Sequence, residues 1–392
     1  MTERGNVIVS ADCHAGAAVP DYKHYLEERY WDDFDAWSAS FVNPFADLDE
    51  IYADRNWDSA KRLRDLELDG VIAEVIFPNT VPPFYPTVGL VAGPPRMEDY
   101  ERRWAGLKAH NRWLAEFCGD APGRRAGVAQ LMFNDVDDAV AEIEWARAHG
   151  LTGGVLIPSI PPGAPIDPIW HPKYDRIWAV CQDLDVPINH HGGAGTPDYG
   201  WSSGMARVLY ITEFQFYSGR CVWHLAWAGV FERYPNLRYV ITEQGLGQTL
   251  QDMDYQDGLY QMMKNPGDLP MAQGAANLVG DYIDTLPMGP GQYVKRNCWI
   301  GASFMNSWEV SQRERVGVDR LMWGCDYPHV EATWPKSRES IAEAVAGIPV
   351  EDARKMLGLN AVEFYGFDLN QLQALADEFG PRDSELFAPV AV

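Results

Sequence analysis

Eight short apolar runs, each followed by a segment of helical period, set the narrowest limit on what this chain can fold into. The runs are residues 7–14, 71–77, 126–131, 154–158, 186–191, 237–243, 297–300 and 320–325. Between them lie segments that read as helices: 58–68, 97–117, 136–150, 174–184, most of 204–234, 250–263, 308–316 and 337–346, with a short one at 350–357. Buried strands alternating with helices imply a parallel sheet. Eight such units predict a closed (β/α)8 TIM barrel, stretched by long loop insertions beyond the ~250 residues typical of that fold. A doubly wound open sheet is the alternative, but no G-x-G-x-x-G follows the first run, which weakens a dinucleotide-binding reading. Residues 15–55 and 264–292 read as irregular, the latter as an insertion. The Pro- and Gly-rich stretch 78–95 reads as a lid or binding loop. With no repeat and no linker, the expectation is one domain over 1–392, its core about 7–366 and its tail 367–392.

Composition closes off several functions. The net charge of −24 argues against a nucleic-acid partner, which calls for a basic surface. No run of 18 apolar residues predicts a membrane span. The N-terminus runs straight into a strand without the layout of a signal peptide, so a cytoplasmic protein is expected. The six cysteines are scattered, with no C-x-x-C, and predict neither disulfides nor a cysteine zinc knot.

In a barrel the active site lies where the C-terminal ends of the strands meet. The first run ends Asp12-Cys13-His14, the fifth Asn189-His190-His191-Gly192-Gly193, the sixth Thr242-Glu243-Gln244-Gly245 and the eighth Gly324-Cys325-Asp326-Tyr327-Pro328-His329. Side chains two apart on a strand share a face, so Asp12 and His14 can meet at one point with Cys13 turned away. Burying such groups alone is costly, and a bound metal removes the cost. His nitrogen with carboxylate oxygen suits zinc and its relatives, leaving a position open for water or substrate. Singly, each residue reads more plainly as a hydrogen-bonded core group or a helix cap; together they point to a metal site.

These motifs, with Gly229-Val230-Phe231-Glu232-Arg233-Tyr234-Pro235-Asn236-Leu237 and the closing Asn360-Ala361-Val362-Glu363-Phe364-Tyr365-Gly366, resemble the amidohydrolase superfamily. The branch is amidohydrolase family 2, which includes aminocarboxymuconate-semialdehyde decarboxylase and γ-resorcylate decarboxylase. The resemblance spans roughly 7–366. It implies a metal-dependent barrel enzyme holding one divalent ion, zinc foremost with manganese or another as alternatives, on Asp12, His14, His191 and Asp326. The resemblance implies His191 rather than His190, because in relatives the ligand stands four residues after the strand's proline and two before a glycine, which matches Pro187 and Gly193. His190 then lines the pocket, holds a ligand in place, or packs on the other strand face. Two departures stand out: Asp12 replaces the His or Glu of better-known members, and Glu243 stands where characterised decarboxylases carry a catalytic His before glycines. His224 does not align with that position and reads as structural. His329 is expected to orient a ligand, contact substrate or brace its loop. Relatives are often oligomers, so a homodimer or higher assembly is expected.

The substrate side is aromatic: Phe84 and Tyr85 after the second strand, Tyr199 and Trp201 after the fifth, Trp334 after the eighth. That favours a small flat or apolar organic molecule, and no Arg or Lys cluster invites a phosphate. Two reactions fit. In hydrolysis, Asp326 takes a proton from metal-activated water and Glu243 serves the leaving group. In non-oxidative decarboxylation, Glu243 or His329 protonates the ring carbon as CO2 departs. The Glu-for-His change tips the sequence reading towards hydrolysis. A barrel that binds a ligand without turnover is the third reading.

Overall fold

The computed structural model describes residues 4–42, 53–87, 89–200 and 203–387. Its centre is a parallel sheet of eight strands in chain order. They are β1 (Val9–Ala15), β2 (Ala73–Pro78), β3 (Arg125–Gln130), β4 (Gly154–Leu156), β5 (Ile188–His191), β6 (Tyr239–Thr242), β7 (Cys298–Ser303) and β8 (Leu321–Gly324). The sheet closes on itself just past β8. Cys13 bridges Tyr327 in parallel, His14 N donates to Tyr327 O at 2.7 Å, and Asp326 N donates to Asp12 O at 2.8 Å. The (β/α)8 barrel is therefore present, and the doubly wound alternative is not.

The helices, in chain order, cover the outside. Helices α1 (Trp31–Ser40) and α2 (Ser59–Asp69) follow β1, α3 (Met97–Gly119) follows β2, α4 (Val136–Ala148) β3 and α5 (Asp175–Asp183) β4. Helices α6 (Gly204–Trp227) and α7 (Val230–Arg233) follow β5; α8 (Leu246–Lys264), α9 (Pro270–Val279) and α10 (Pro290–Asn297) follow β6; α11 (Ser307–Ser311) and α12 (Arg313–Val316) follow β7. After β8 come α13 (Ser337–Ala344), α14 (Val350–Arg354), α15 (Asn360–Tyr365), α16 (Leu369–Phe379) and α17 (Asp383–Leu386). Local signals set many ends. The Asp58 and Asp135 side chains cap α2 and α4, and Gly70 ends α2 with a left-handed φ of 87°. None of the described helices is long and apolar enough to cross a membrane.

Three stretches differ from the sequence expectation. Among the described residues, 15–55 contain α1, two 3-10 turns (Val19–Tyr25 and Glu28–Tyr30) and the start of a third at Ala53. Residues 264–292 are largely helical, carrying α9 and the start of α10, because Pro270 and Pro290 occupy first-turn positions where the missing N–H costs nothing. The segment after 366 is no loose tail. Leu372 and Ala376 of α16 are fully buried against the N-terminal end of the barrel, in one cluster with Val7 and Val9.

Inside the barrel, alternate residues of the strands (Val9, Ala11, Val75, Phe77, Val128, Val240, Met322) pack together, while Ile8, Cys13, Ile76, Val155, Ile241 and Trp323 face the helices. One strand breaks its own alternation. In β1, Val9 and Ala11 point inward on odd numbers, yet Cys13 points outward. The pairing with β2 explains it: Ser10 lies opposite Glu74 but Cys13 opposite Ile76, so β1 carries one extra residue. This bulge moves Asp12 and His14 into the barrel mouth.

Candidate metal centre and pocket

The bulge is held by Ser10. Its hydroxyl donates to Asp12 O at 2.7 Å and accepts from Cys325 N at 2.9 Å, tying β1 to β8 where both deliver a carboxylate. The backbone after His14 is fixed from outside, since Arg62 of α2 donates to His14 O at 2.7 Å while its guanidinium is doubly held by buried Glu74. At the close of β8, Gly324 leaves room for this arrangement: a Cβ there would lie 2.7 Å from that of Asp12.

Asp12, His14, His191 and Asp326 converge at the floor of the barrel mouth, all essentially inaccessible to solvent. His14 Nε2 lies 3.3 Å from Asp12 Oδ1 and 2.9 Å from Asp326 Oδ1, and His191 Nε2 lies 3.3 Å from Asp12 Oδ1. One ligand atom from each of Asp12, His14 and His191 falls within 4.8 Å of the others, and the same holds for His14, Asp326 and His329. His14 Nδ1 faces Pro78 O at 3.3 Å, which leaves Nε2 turned inward. His14 Nε2 and both Asp326 oxygens are buried without a hydrogen-bond partner, despite the short contacts between them. Buried lone pairs converging without donors are the signature of a cation site, so the residues fit a divalent metal.

The electrostatics agree. Burial alone would raise Asp12 and Asp326, but the imidazoles of His191 and His14, and of His329 and His14 respectively, hold both carboxyls below their ordinary value. Burial would lower His14, yet Asp12 and Asp326 override it and push His14 well up. Ser303, at the end of β7, donates to Asp12 Oδ2.

Glu243 stands beside this floor, with 24% of its side chain exposed to the pocket and Oε2 3.1 Å from His191 Nδ1. Burial, with Asp326 and Asp12 adding to it, outweighs His191 and pushes its carboxyl up to about 8. Glu243 has φ 54° and Asp326 φ 60°, left-handed conformations that cost about 1–3 kcal/mol each in a non-glycine residue and persist where surroundings enforce them. Gly192 makes room for the first, because a Cβ there would meet Glu243 O at 2.7 Å and Oε2 at 2.8 Å. His329 stacks on His14 with centroids 4.0 Å apart; its Nδ1 is 2.9 Å from Asp326 Oδ1 and its Nε2 3.1 Å from Asn79 Oδ1.

Above the floor opens a cavity of about 440 Å3, bounded by Asn79, Leu90, Val91, Tyr210, Phe214 and Val330 together with His191, Glu243 and His329. Among the described residues no Arg or Lys lines it. It adjoins a second hollow of about 400 Å3 through the shared Val91, Gly193 and Tyr210, and Tyr199 lines that outer part.

Other expected pocket residues lie elsewhere. Phe84 packs with Tyr30, Phe34 and Trp37 beneath the loop, and Tyr85 is buried under Arg103. Trp334 packs edge-on to Tyr327 and under Arg55. Long loops bury their own aromatics, which is why these three left the pocket. His190 faces away from the metal floor and lines a separate cavity. Trp201 lies outside the described residues. Sequence reasoning missed Asn79, Ser303, Tyr210 and Phe214. The first two stand at the ends of β2 and β7, where the strand-end rule would have found them; the α6 residues carried no signal.

A family model described as Amidohydrolase matches residues 12–367. The γ-resorcylate decarboxylase of Rhodococcus jostii is 25% identical over 230 residues, which cover 56% of this chain and 64% of that protein. The match thus spans less than two thirds of the relative. The 5-carboxyvanillate decarboxylase of Sphingomonas paucimobilis superimposes with a TM-score of 0.66 at 16% identity, over 92% of this chain and 99% of that one. The 5-carboxyvanillate decarboxylase of Novosphingobium aromaticivorans, solved with manganese and 4-hydroxy-3-methoxy-5-nitrobenzoic acid, gives 0.68 at 20% identity over 92% and 96%. At such identities these neighbours establish the fold.

Proposed function

The chain belongs to the amidohydrolase family, and on that premise we propose that it is a metal-dependent, non-oxidative decarboxylase of a small aromatic acid. The observation that carries this reading is a buried donor set of two carboxylates and two imidazoles, opening onto a pocket with apolar and aromatic walls and, among the described residues, no Arg or Lys. The hydrolysis favoured from sequence gives way, because the relatives are named as decarboxylases of aromatic acids and the pocket suits a flat ring. For the cofactor, a divalent cation is what the donors support, and the manganese in neighbouring structures favours that ion over zinc.

Asp12, His14, His191 and Asp326 would hold the cation. Bound there, it would draw the substrate carboxylate and a neighbouring oxygen to the floor and withdraw charge from the ring. The chain does the rest. Phe214, Leu90 and Val91 flank the ring and exclude water. As the C–C bond to the carboxylate breaks, the ring carbon must gain a proton. Glu243 lies at the edge of the pocket and is the group best set to deliver it; His329, engaged by Asp326 and Asn79, instead orients the floor.

The test is a panel of hydroxybenzoates and of amides and lactones, each incubated with metal-loaded chain and followed for CO2 release and for hydrolysis. CO2 from any aromatic acid, lost with the metal in His191→Ala, is expected. Hydrolysis without CO2 release would overturn the reading. We extend the proposal to one domain in a homodimer or higher assembly, for which exposed Met205, Phe216, Met271 and Leu278 offer contact surface; a monomeric mass in light scattering would overturn that part. All six cysteines are free and five are buried, which accords with a reducing, cytoplasmic setting.

A further inference from the structure

Across the loop that follows β5, apart from the two adjoining hollows above the metal floor, lies a cavity of about 210 Å3. That loop contributes Gly193 to the metal-centre pocket and Gly195 to this one. One wall is one face of α6, where Tyr217, Arg220, Cys221 and His224 fall at the three- and four-residue spacings that align side chains on a helix. The facing wall is the apolar loop after β4, with Pro161, Ile166 and Ile169 among its members.

Three observations single this cavity out. First, its lining contains a guanidinium and two imidazoles (Arg220, His190 and His224) and no carboxylate, in a chain of net charge −24. Second, among the described residues Arg220 has no ion-pair partner. Its guanidinium carbon lies 5.6 Å from the centre of the Tyr217 ring. Third, His190 is 3% exposed, and its Nδ1 is buried without a hydrogen-bond partner. A buried ring nitrogen without a partner and an Arg without an ion pair together ask for a polar ligand that carries negative charge.

The shape narrows the class. The cavity is smaller than the roughly 300–1,000 Å3 of sites for drug-sized ligands. Its one fixed positive charge, Arg220, calls for a planar anion that an Arg fork can grip in two places, which a carboxylate is. Its proline and isoleucine side calls for a compact apolar body. We propose that this cavity is a second ligand site, taking a small aromatic or branched monocarboxylate with its carboxylate on Arg220 and its apolar end against the loop after β4. The site is separate from the metal centre and needs neither metal nor turnover.

Benzoate is the probe. Isothermal titration of the full chain with benzoate, first metal-loaded and again after chelation, is expected to show a binding class that survives chelation. Arg220→Gln should weaken that class at least tenfold and Arg220→Lys less, both with wild-type circular dichroism. His224→Gln should weaken it several-fold. A crystal soaked with benzoate should show it in contact with Arg220. Binding that vanishes entirely on chelation, or that persists unchanged in Arg220→Gln, would overturn the proposal. Neither readout depends on the reaction at the metal centre, so failure of the decarboxylase reading is seen separately, in the CO2 assay.

Discussion

At the level of single residues, Glu243 carries the sharpest consequence. It is the one carboxylate that borders both the ligand floor, through His191, and the open pocket. If it delivers the proton to carbon, Glu243→Gln keeps the shape and removes the proton. A general acid contributes typically about 10²–10⁴-fold, so kcat should fall by that factor while KM and metal content stay near wild type. Steady-state kinetics beside metal analysis checks this; loss of metal together with activity would make Glu243 a ligand-orienting group instead. A second residue bears on stability alone. His110 of α3 is fully buried, its Nδ1 2.8 Å from the Tyr22 hydroxyl and its Nε2 without a partner. Burial pulls its pKa down from 6.5 to about 3. The sign follows: below about 6.5 the unfolded chain takes up a proton that the folded chain refuses, so stability falls as pH drops from about 6.5 towards 3 and is undiminished above. Urea midpoints should therefore decline more steeply over pH 6.5–4 in wild type than in His110→Gln.

At the level of elements, β1 shows what was legible and what was not. The pair Asp12 and His14, two apart after an apolar run, announced a shared face, and the structure has it. The bulge that makes this possible was invisible, because odd-numbered Val9 and Ala11 and even-numbered Asp12 and His14 each look regular on their own. Only the pairing with β2 shows that a residue is inserted between the two phases. The strand-end polar residues of β5, β6 and β8 were legible as a set with those of β1: each alone reads as a core hydrogen-bonding group or a cap, but several closing strands at one end of one barrel share a single explanation. The loop aromatics were not, since Phe84 and Trp334 look alike whether they face substrate or their own loop. The bulge also predicts an effect. Ser10→Ala deletes the acceptor for Cys325 N–H and the donor to Asp12 O, both buried. An unsatisfied buried group costs about 1–3 kcal/mol. The bulge should relax, so metal affinity should drop as well, read by competition with a chelator. Unchanged affinity with lowered stability would confine Ser10 to holding the fold.

At the level of the whole molecule, the two ends of the barrel have separate duties. The C-terminal ends of the strands carry the donors, while the opposite end is closed by α16, whose Leu372 and Ala376 pack on Val7 and Val9. By sequence the chain beyond 366 reads as a tail. Yet Leu369, Leu372, Leu375 and Ala376 repeat at helical spacing, which was the missed sign of a covered face. Gly5 is pressed against this helix so closely that a Cβ there would lie 1.8 Å from Ala376 O, and Asn6 N donates to Pro381 O at 2.9 Å. The N-terminal approach to β1 is thus clamped by residues far along the chain. If stability and catalysis are divided between the two ends, a cavity at the closed end should spare the chemistry. Leu372→Ala removes a fully buried side chain and should cost about 2–5 kcal/mol, lowering the urea midpoint, while kcat and metal content at low temperature stay within about twofold of wild type. Loss of activity without loss of stability would mean that the clamp on the start of β1 reaches Asp12 further along the same strand, and that the two ends are coupled through it.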